Sequence, residues 1–137
     1  MNTELTRILH AGGHSLVVAR DGEIRVYDGR GVSDLMRLLD EDDAPLHGAE
    51  IADKVVGKAA AALMIAGGVT RLYADVVSSS AIALLNRSSV HVSCDIVPPY
   101  IVNRKGTGMC PLELRCMDCA TPDECIARIR ALFTEKR

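Results

Sequence analysis

Apolar residues near the start of the chain recur at helical spacing. In "TELTRILHAGG" Leu5, Ile8 and Leu9 share one face, Thr3 is placed to cap, and Gly12-Gly13 predicts a stop. The pattern then changes. Two apolar runs flank Asp21-Gly22, a dipeptide suited to a tight hairpin turn, which predicts strands over Ser15–Arg20 and Glu23–Asp28. Leu35, Met36, Leu38 and Leu39 predict a short amphipathic helix with Ser33 as its cap, followed by the solvated acidic loop "LDEDDAP". The stretch "IADKVVGKAAAALMIAGG" reads as the longest helix, capped by Asp53 and stopped by Gly67-Gly68. It is apolar on nearly every face except at Lys54 and Lys58, which predicts a buried helix. Gly57, in its interior, costs about 1 kcal/mol against Ala and points to a close approach there, most simply tight packing. "VTRLYADVV" predicts a buried strand, "SSSAIALLNRSS" a serine-capped helix, and "VHVSCDIV" a strand ended by Pro98-Pro99. After the loop "RKGTG", Pro111 suits the first position of a helical turn in "CPLELRCMDCA". Thr121 and Glu124 form a capping box ahead of a final amphipathic helix with Ile126, Ile129, Leu132 and Phe133 on its face.

The resulting order is helix, β-hairpin, helix–strand–helix–strand, and helix. It predicts one domain over residues 1–137, an α/β mixed sheet with helices on its faces and right-handed crossovers. The core must be aliphatic, because the chain has no Trp, 1 Phe and 3 Tyr. A net charge of −2 and so few aromatic rings give no reason to expect a nucleic-acid polymer as partner. No apolar run reaches the ~18 residues that span a bilayer, and "MNTELTRILHAGG" has no signal-peptide pattern. The expectation is a cytoplasmic protein with reduced thiols, without a membrane partner, and compatible with a homodimer through its apolar helix and strands.

This order resembles the cytidine-deaminase-like fold. The stretches "ADKVVGKAAAALMIAGGVTRLYADVVS" and "PPYIVNRKGTGMCPLE" resemble, more specifically, the prokaryotic family called domain of unknown function 1893. The resemblance covers almost the whole chain. It implies a three-layer αβα architecture whose mixed sheet starts with a β-hairpin, and it implies no established activity. Zinc deaminases of that fold place H-x-E or C-x-E at one helix start and P-C-x-x-C at the next. The corresponding stretches here, "AEIADKVVGK" and "VVSSSAIALL", contain neither; His47 and Glu50 stand at the wrong spacing. The resemblance therefore implies a fold without the usual zinc site.

The leading expectation is a small-molecule-binding protein. In this fold the pocket lies where helix N-termini meet the sheet edge, a place that favours anions. Asp53, Lys54 and Lys58 (the lysines one helical turn apart) are candidate ligand contacts, with Ser78, Ser79 and Ser80 at a helix start. Asn103, Arg104, Lys105, Gly106, Thr107 and Gly108 supply a loop with a Gly-x-Gly backbone. The expected ligand is anionic or nucleotide-like, although the loop is neither a P-loop nor a dinucleotide fingerprint. The rival is a divergent hydrolase with Cys110 as nucleophile, following a Gly-rich turn near a helix start. A third reading starts from C-x5-C-x2-C-x5-C at Cys110, Cys116, Cys119 and Cys125, which could hold zinc or an iron–sulfur cluster and staple an interaction module. Against it stand the wide outer spacing and the ordinary role of cysteine as a small core residue.

Overall fold

The computed structural model describes residues 3–29, 32–103 and 105–135. Five strands form one sheet in the order β2-β1-β3-β4-β5. The hairpin is β1 (Leu16–Arg20) and β2 (Glu23–Tyr27), with Arg20 opposite Glu23. Asp21 and Gly22 take φ of 52° and 80°, the pair of positive values that lets a two-residue turn follow the strand twist. β1 continues antiparallel to β3 (Glu50–Val56), with Leu16 opposite Asp53. β3, β4 (Arg71–Val77) and β5 (His91–Ile96) then run parallel. The fold is thus a mixed α/β sheet with six helices.

The strand β3 corrects the sequence reading. Residues Ile51–Val56 are not the first half of a long helix; the helix α3 starts later and spans Lys58–Gly67. The physical reason is position in the sheet. A central strand is covered on both faces and shows no polar alternation. Ile51 packs into the main core, while its neighbour Ala52 packs with Leu5, Leu9 and Val17 under the first helix, α1 (Thr3–Ala11). Asp53 therefore caps no helix, and Lys54 and Lys58 are not helical neighbours. Gly57 is the extended residue that precedes α3, not part of a helix interior.

Most other elements follow the local signals. Ser78 caps α4 (Ser79–Asn86) by accepting from the Ala81 N–H at 3.3 Å. Thr121 Oγ1 accepts from the Glu124 N–H at 3.2 Å at the start of α6 (Pro122–Glu135). Ser33 is not the cap of α2 (Ser33–Leu39); Val32 holds that position without a side-chain cap. The cap expected of Thr3 lies outside the described side chains.

The layers are unequal. α1 covers one face over β1 and β3. The other face carries α2, α3, α4, α5 (Pro111–Cys116) and α6, and α3 lies at their centre, packed against all four other helices. This explains its alanines. Ala59, Ala60, Ala61, Ala62, Leu63 and Met64 are all buried, and four successive small side chains let neighbours approach from every side. α3 ends at Gly68, whose φ of 85° gives a left-handed cap.

Ala61 is 0% exposed, so enlarging it must displace packed neighbours. Ala61→Leu is expected to cost about 1–3 kcal/mol by overpacking, measured by urea denaturation. A neutral result would mean that α3 is not enclosed.

Candidate functional site

A cavity of about 380 Å³ opens at the carboxyl end of β3. Open α/β sheets place ligands at the carboxyl ends of strands. Leu16 from β1 and Val32 and Leu35 beside and on α2 form one apolar wall; Ala59 and Ala60 of α3 and Leu112 of α5 form the other. The polar groups on the lining are Ser15, Asp34, Asp53, Lys54, Cys110 and Glu113.

Glu113 organises the site. It is 4% exposed, so its carboxyl needs donors from the protein. Oε1 accepts from the Lys58 N–H at 2.7 Å, and Ser80 Oγ lies 3.5 Å away. Oε2 accepts from the Ile101 N–H at 3.0 Å. One side chain thus joins α5, the first turn of α3, α4 and the segment after β5. A Cβ on Gly57 would stand 3.0 Å from Oε1, so Gly57 leaves room for this carboxyl. The close approach expected at Gly57 exists, and it is to the protein's own side chain.

Lys58 secures the other end of α5. Its Nζ donates to the carbonyls of Met117, at 3.2 Å, and Cys119. It is 7% exposed and does not line the cavity. Lys58 is therefore spent on the fold, and its backbone N–H, at the α3 N-terminus, already has a carboxylate. The anion position expected there is filled by Glu113.

Asp53 lies across the cavity on β3. It is half-buried by surface, yet burial pushes its carboxyl up to about 8; the N–H groups of Val55 and Lys54 oppose the rise, and the charge of Asp75 adds to it. Asp34 is committed elsewhere: it accepts from the Gly29 N–H at 2.9 Å and pairs with Arg37 at 3.3 Å.

The remaining sequence candidates separate. Asp53, Lys54 and Cys110 line the cavity; Ser78 and Ser79 do not. Ser78 is a fully buried cap, and Ser79 Oγ donates to the Pro98 carbonyl at 3.1 Å. The described residues of the glycine loop bond to one another and are not part of the cavity lining. Asn103 and Gly108 pair through N–H to carbonyl at 2.8 Å, Thr107 N–H donates to Asn103 Oδ1 at 3.1 Å, and Gly106 turns at φ 71°. Lys105 on that loop is exposed, and Arg104 lies outside the described residues. Glu113 was missed because a lone Glu in a six-residue helix has no motif; the one sequence hint was the costly Gly57.

The four cysteines do not form one set. Cys110 stands before the first residue of α5, in the cavity wall, while Cys116, Cys119 and Cys125 are buried at and beyond its other end. Among the described residues, no group of three or more His, Cys, Asp or Glu side chains is arranged to hold a metal ion. The trio packs as small core groups, with Cys116 Sγ donating to the Cys125 carbonyl at 3.9 Å. A separate hydrogen bond between the Cys116 and Cys125 thiols holds Cys116 below its usual value against the effect of burial. The same bond, with burial, pushes Cys125 up, and burial pushes Cys119 up.

Sheet and cavity together define a mixed α/β protein with a ligand-sized recess at the end of its central strand. Residues 4–133 match the model of the TM1506 family, domain of unknown function DUF1893. The chain belongs to that family. A search of curated proteins finds no match. The crystal structure of a DUF1893 family protein (TM1506) from Thermotoga maritima is similar, with a TM-score of 0.84 and 27% identity over 96% of this chain and 91% of that one.

Two outcomes test this geometry. Glu113→Ala removes the acceptor of two backbone N–H groups and is expected to cost about 2–4 kcal/mol in urea denaturation. Glu113→Gln keeps one acceptor and is expected to cost about half as much. Equal, small losses would mean that the carboxyl does not hold α5. For Asp53, the folded pKa lies above the unfolded value of about 3.9, so the folded state binds the proton more tightly. Its stabilising effect is full below about pH 4, declines as pH rises towards 8, and levels above that. The stability difference between wild type and Asp53→Asn is expected to shift in favour of the variant from pH 5 to 8.5. A constant difference would remove Asp53 as a buried acid.

Proposed function

We propose that this protein binds a small molecule in the cavity between β3, α2 and α5. The observation that carries the reading is the cavity itself: about 380 Å³, within the range of ligand sites, with apolar walls and a few converging polar groups. Its place at the carboxyl end of a central strand supports the same reading. The contacts retained from the sequence are Asp53, Lys54 and Cys110, joined by Glu113.

The cytidine-deaminase-like architecture belongs to this proposal. Its support is the hairpin-first order β2-β1-β3-β4-β5, with helices on both faces. The helix start that would carry the deaminase ligands is Gly57-Lys58-Ala59-Ala60, and it lacks His, Cys and Glu. A cytoplasmic setting fits five free cysteines. No helix among the described residues is long and apolar enough to cross a membrane.

A second reading, a hydrolase with Cys110 as nucleophile, is favoured by one observation: Cys110 shares the cavity wall with Glu113. Turnover that survives Cys110→Ala would remove it.

Cys110 also reports occupancy. In a fragment library, a cavity ligand is expected to raise the melting temperature and to slow iodoacetamide labelling of Cys110 at least threefold. Cys94, on β5 outside the cavity, should label at an unchanged rate. If no fragment protects Cys110 selectively, the binding proposal fails.

A further inference from the structure

We propose that the ligand carries a basic hydrogen-bond-donating group, an amine or amidine, on a small apolar body, and that Asp53 receives it. The inference rests on reading the cavity as a binding site and assigns its ligand class.

The argument is one of unspent hydrogen-bonding capacity. Three carboxyls line the cavity. Glu113 is engaged by two backbone N–H groups and the Ser80 hydroxyl; Asp34 is engaged by the Gly29 N–H and Arg37. Among the described residues, Asp53 accepts only from N–H groups at the end of its own strand, those of Val55 and Lys54. A carboxylate has about four acceptor positions, so Asp53 keeps capacity facing an otherwise apolar recess. Ligand donors are what would fill it.

Charge selects against the opposite class. An anionic head would meet three carboxyls against Lys54, the one cation among the described lining residues. The α3 N-terminus, the other natural home for an anion, is closed by Glu113. Apolar side chains lining the same cavity, including Leu16, Leu35 and Leu112, suit the rest of the ligand.

Among the described residues, the titratable groups around Asp53 are Asp34 from α2, Cys110 just before α5, Glu113 on α5, Lys54 on its own strand and Asp75 on β4. An ammonium ligand needs Asp53 ionised, and burial holds that carboxyl at about 8. Affinity for an amine should therefore rise with pH until Asp53 is ionised, while the amine itself stays charged to about pH 10.

The test uses two probes with one apolar body, 4-phenylbutylamine and 4-phenylbutyrate, titrated into the full chain with ¹³C-methyl alanine. The readout is the Ala59 and Ala60 methyl resonances. The amine is expected to shift them, to bind roughly tenfold more tightly at pH 8 than at pH 6.5, and to lose both binding strength and pH dependence in Asp53→Asn. The Glu113 clamp is untouched by that variant, so its fold is checked by the unshifted remainder of the spectrum. Tighter binding of 4-phenylbutyrate, or amine binding unchanged in Asp53→Asn, would overturn the assignment while leaving the cavity as a ligand site. Silence from both probes also overturns it. The binding-site reading itself falls only if the fragment library fails to protect Cys110.

Discussion

Glu113 ties distant parts of the chain together through one buried carboxyl. Its oxygens accept from Lys58 N–H, at the head of α3, and from Ile101 N–H, beyond β5. A buried carboxyl without such donors would be costly, so α5 can dock in only one way. Lys58 fixes the far end of that helix through the Met117 and Cys119 carbonyls. At six residues α5 is too short to persist alone. Two buried charged side chains, one at each end, hold it against α3 and thereby build the outer wall of the cavity.

The same economy accounts for what the cavity contains. Groups that would attract an anion, the α3 N-terminus and the Lys58 ammonium, are consumed in holding the fold. Asp53, by contrast, has no hydrogen-bonding partner from another segment among the described residues. A carboxyl kept in an apolar recess lowers stability near and above neutral pH unless something compensates it. Natural sequences keep such local conflicts mainly at functional sites, which is why Asp53, rather than the better-satisfied Glu113, anchors the functional reading. The cysteines illustrate the opposite case. Cys116, Cys119 and Cys125 have a suggestive spacing, but they are buried in the main core as packing groups.

Much of the fold was legible in the chain. Asp21-Gly22 announced the hairpin, Ser78 and Thr121 announced their helices, and Pro111 announced α5, because turns and caps are decided within a few residues. The family resemblance was legible too, over nearly the whole length. β3 was not, because a strand covered on both faces loses the alternation that identifies strands. In Ile51–Val56 the β-branched Val55-Val56 ahead of Gly57 were the available sign, outweighed by the long alanine run behind them. That error propagated to the site: it made Asp53 a cap and set Lys54 and Lys58 side by side. Of the residues singled out from the chain, Asp53, Lys54 and Cys110 line the cavity, whereas the described glycine-loop residues and the serines bond within the protein.

The sequence by itself determined the class of the protein: a mixed α/β chain of aliphatic core, hairpin first, with helices begun and ended by local chemistry. Those features depend on residues within about one turn of each other, so their order along the chain suffices to read them. Tertiary structure decided which polar groups remain available. Whether Lys58 serves a ligand or a carbonyl, and whether a helix start meets a solute or Glu113, depends on partners 55 to 61 residues away. Long-range contacts of that kind leave no spacing in the sequence, and they alone distinguish a side chain that holds the fold from one left to bind.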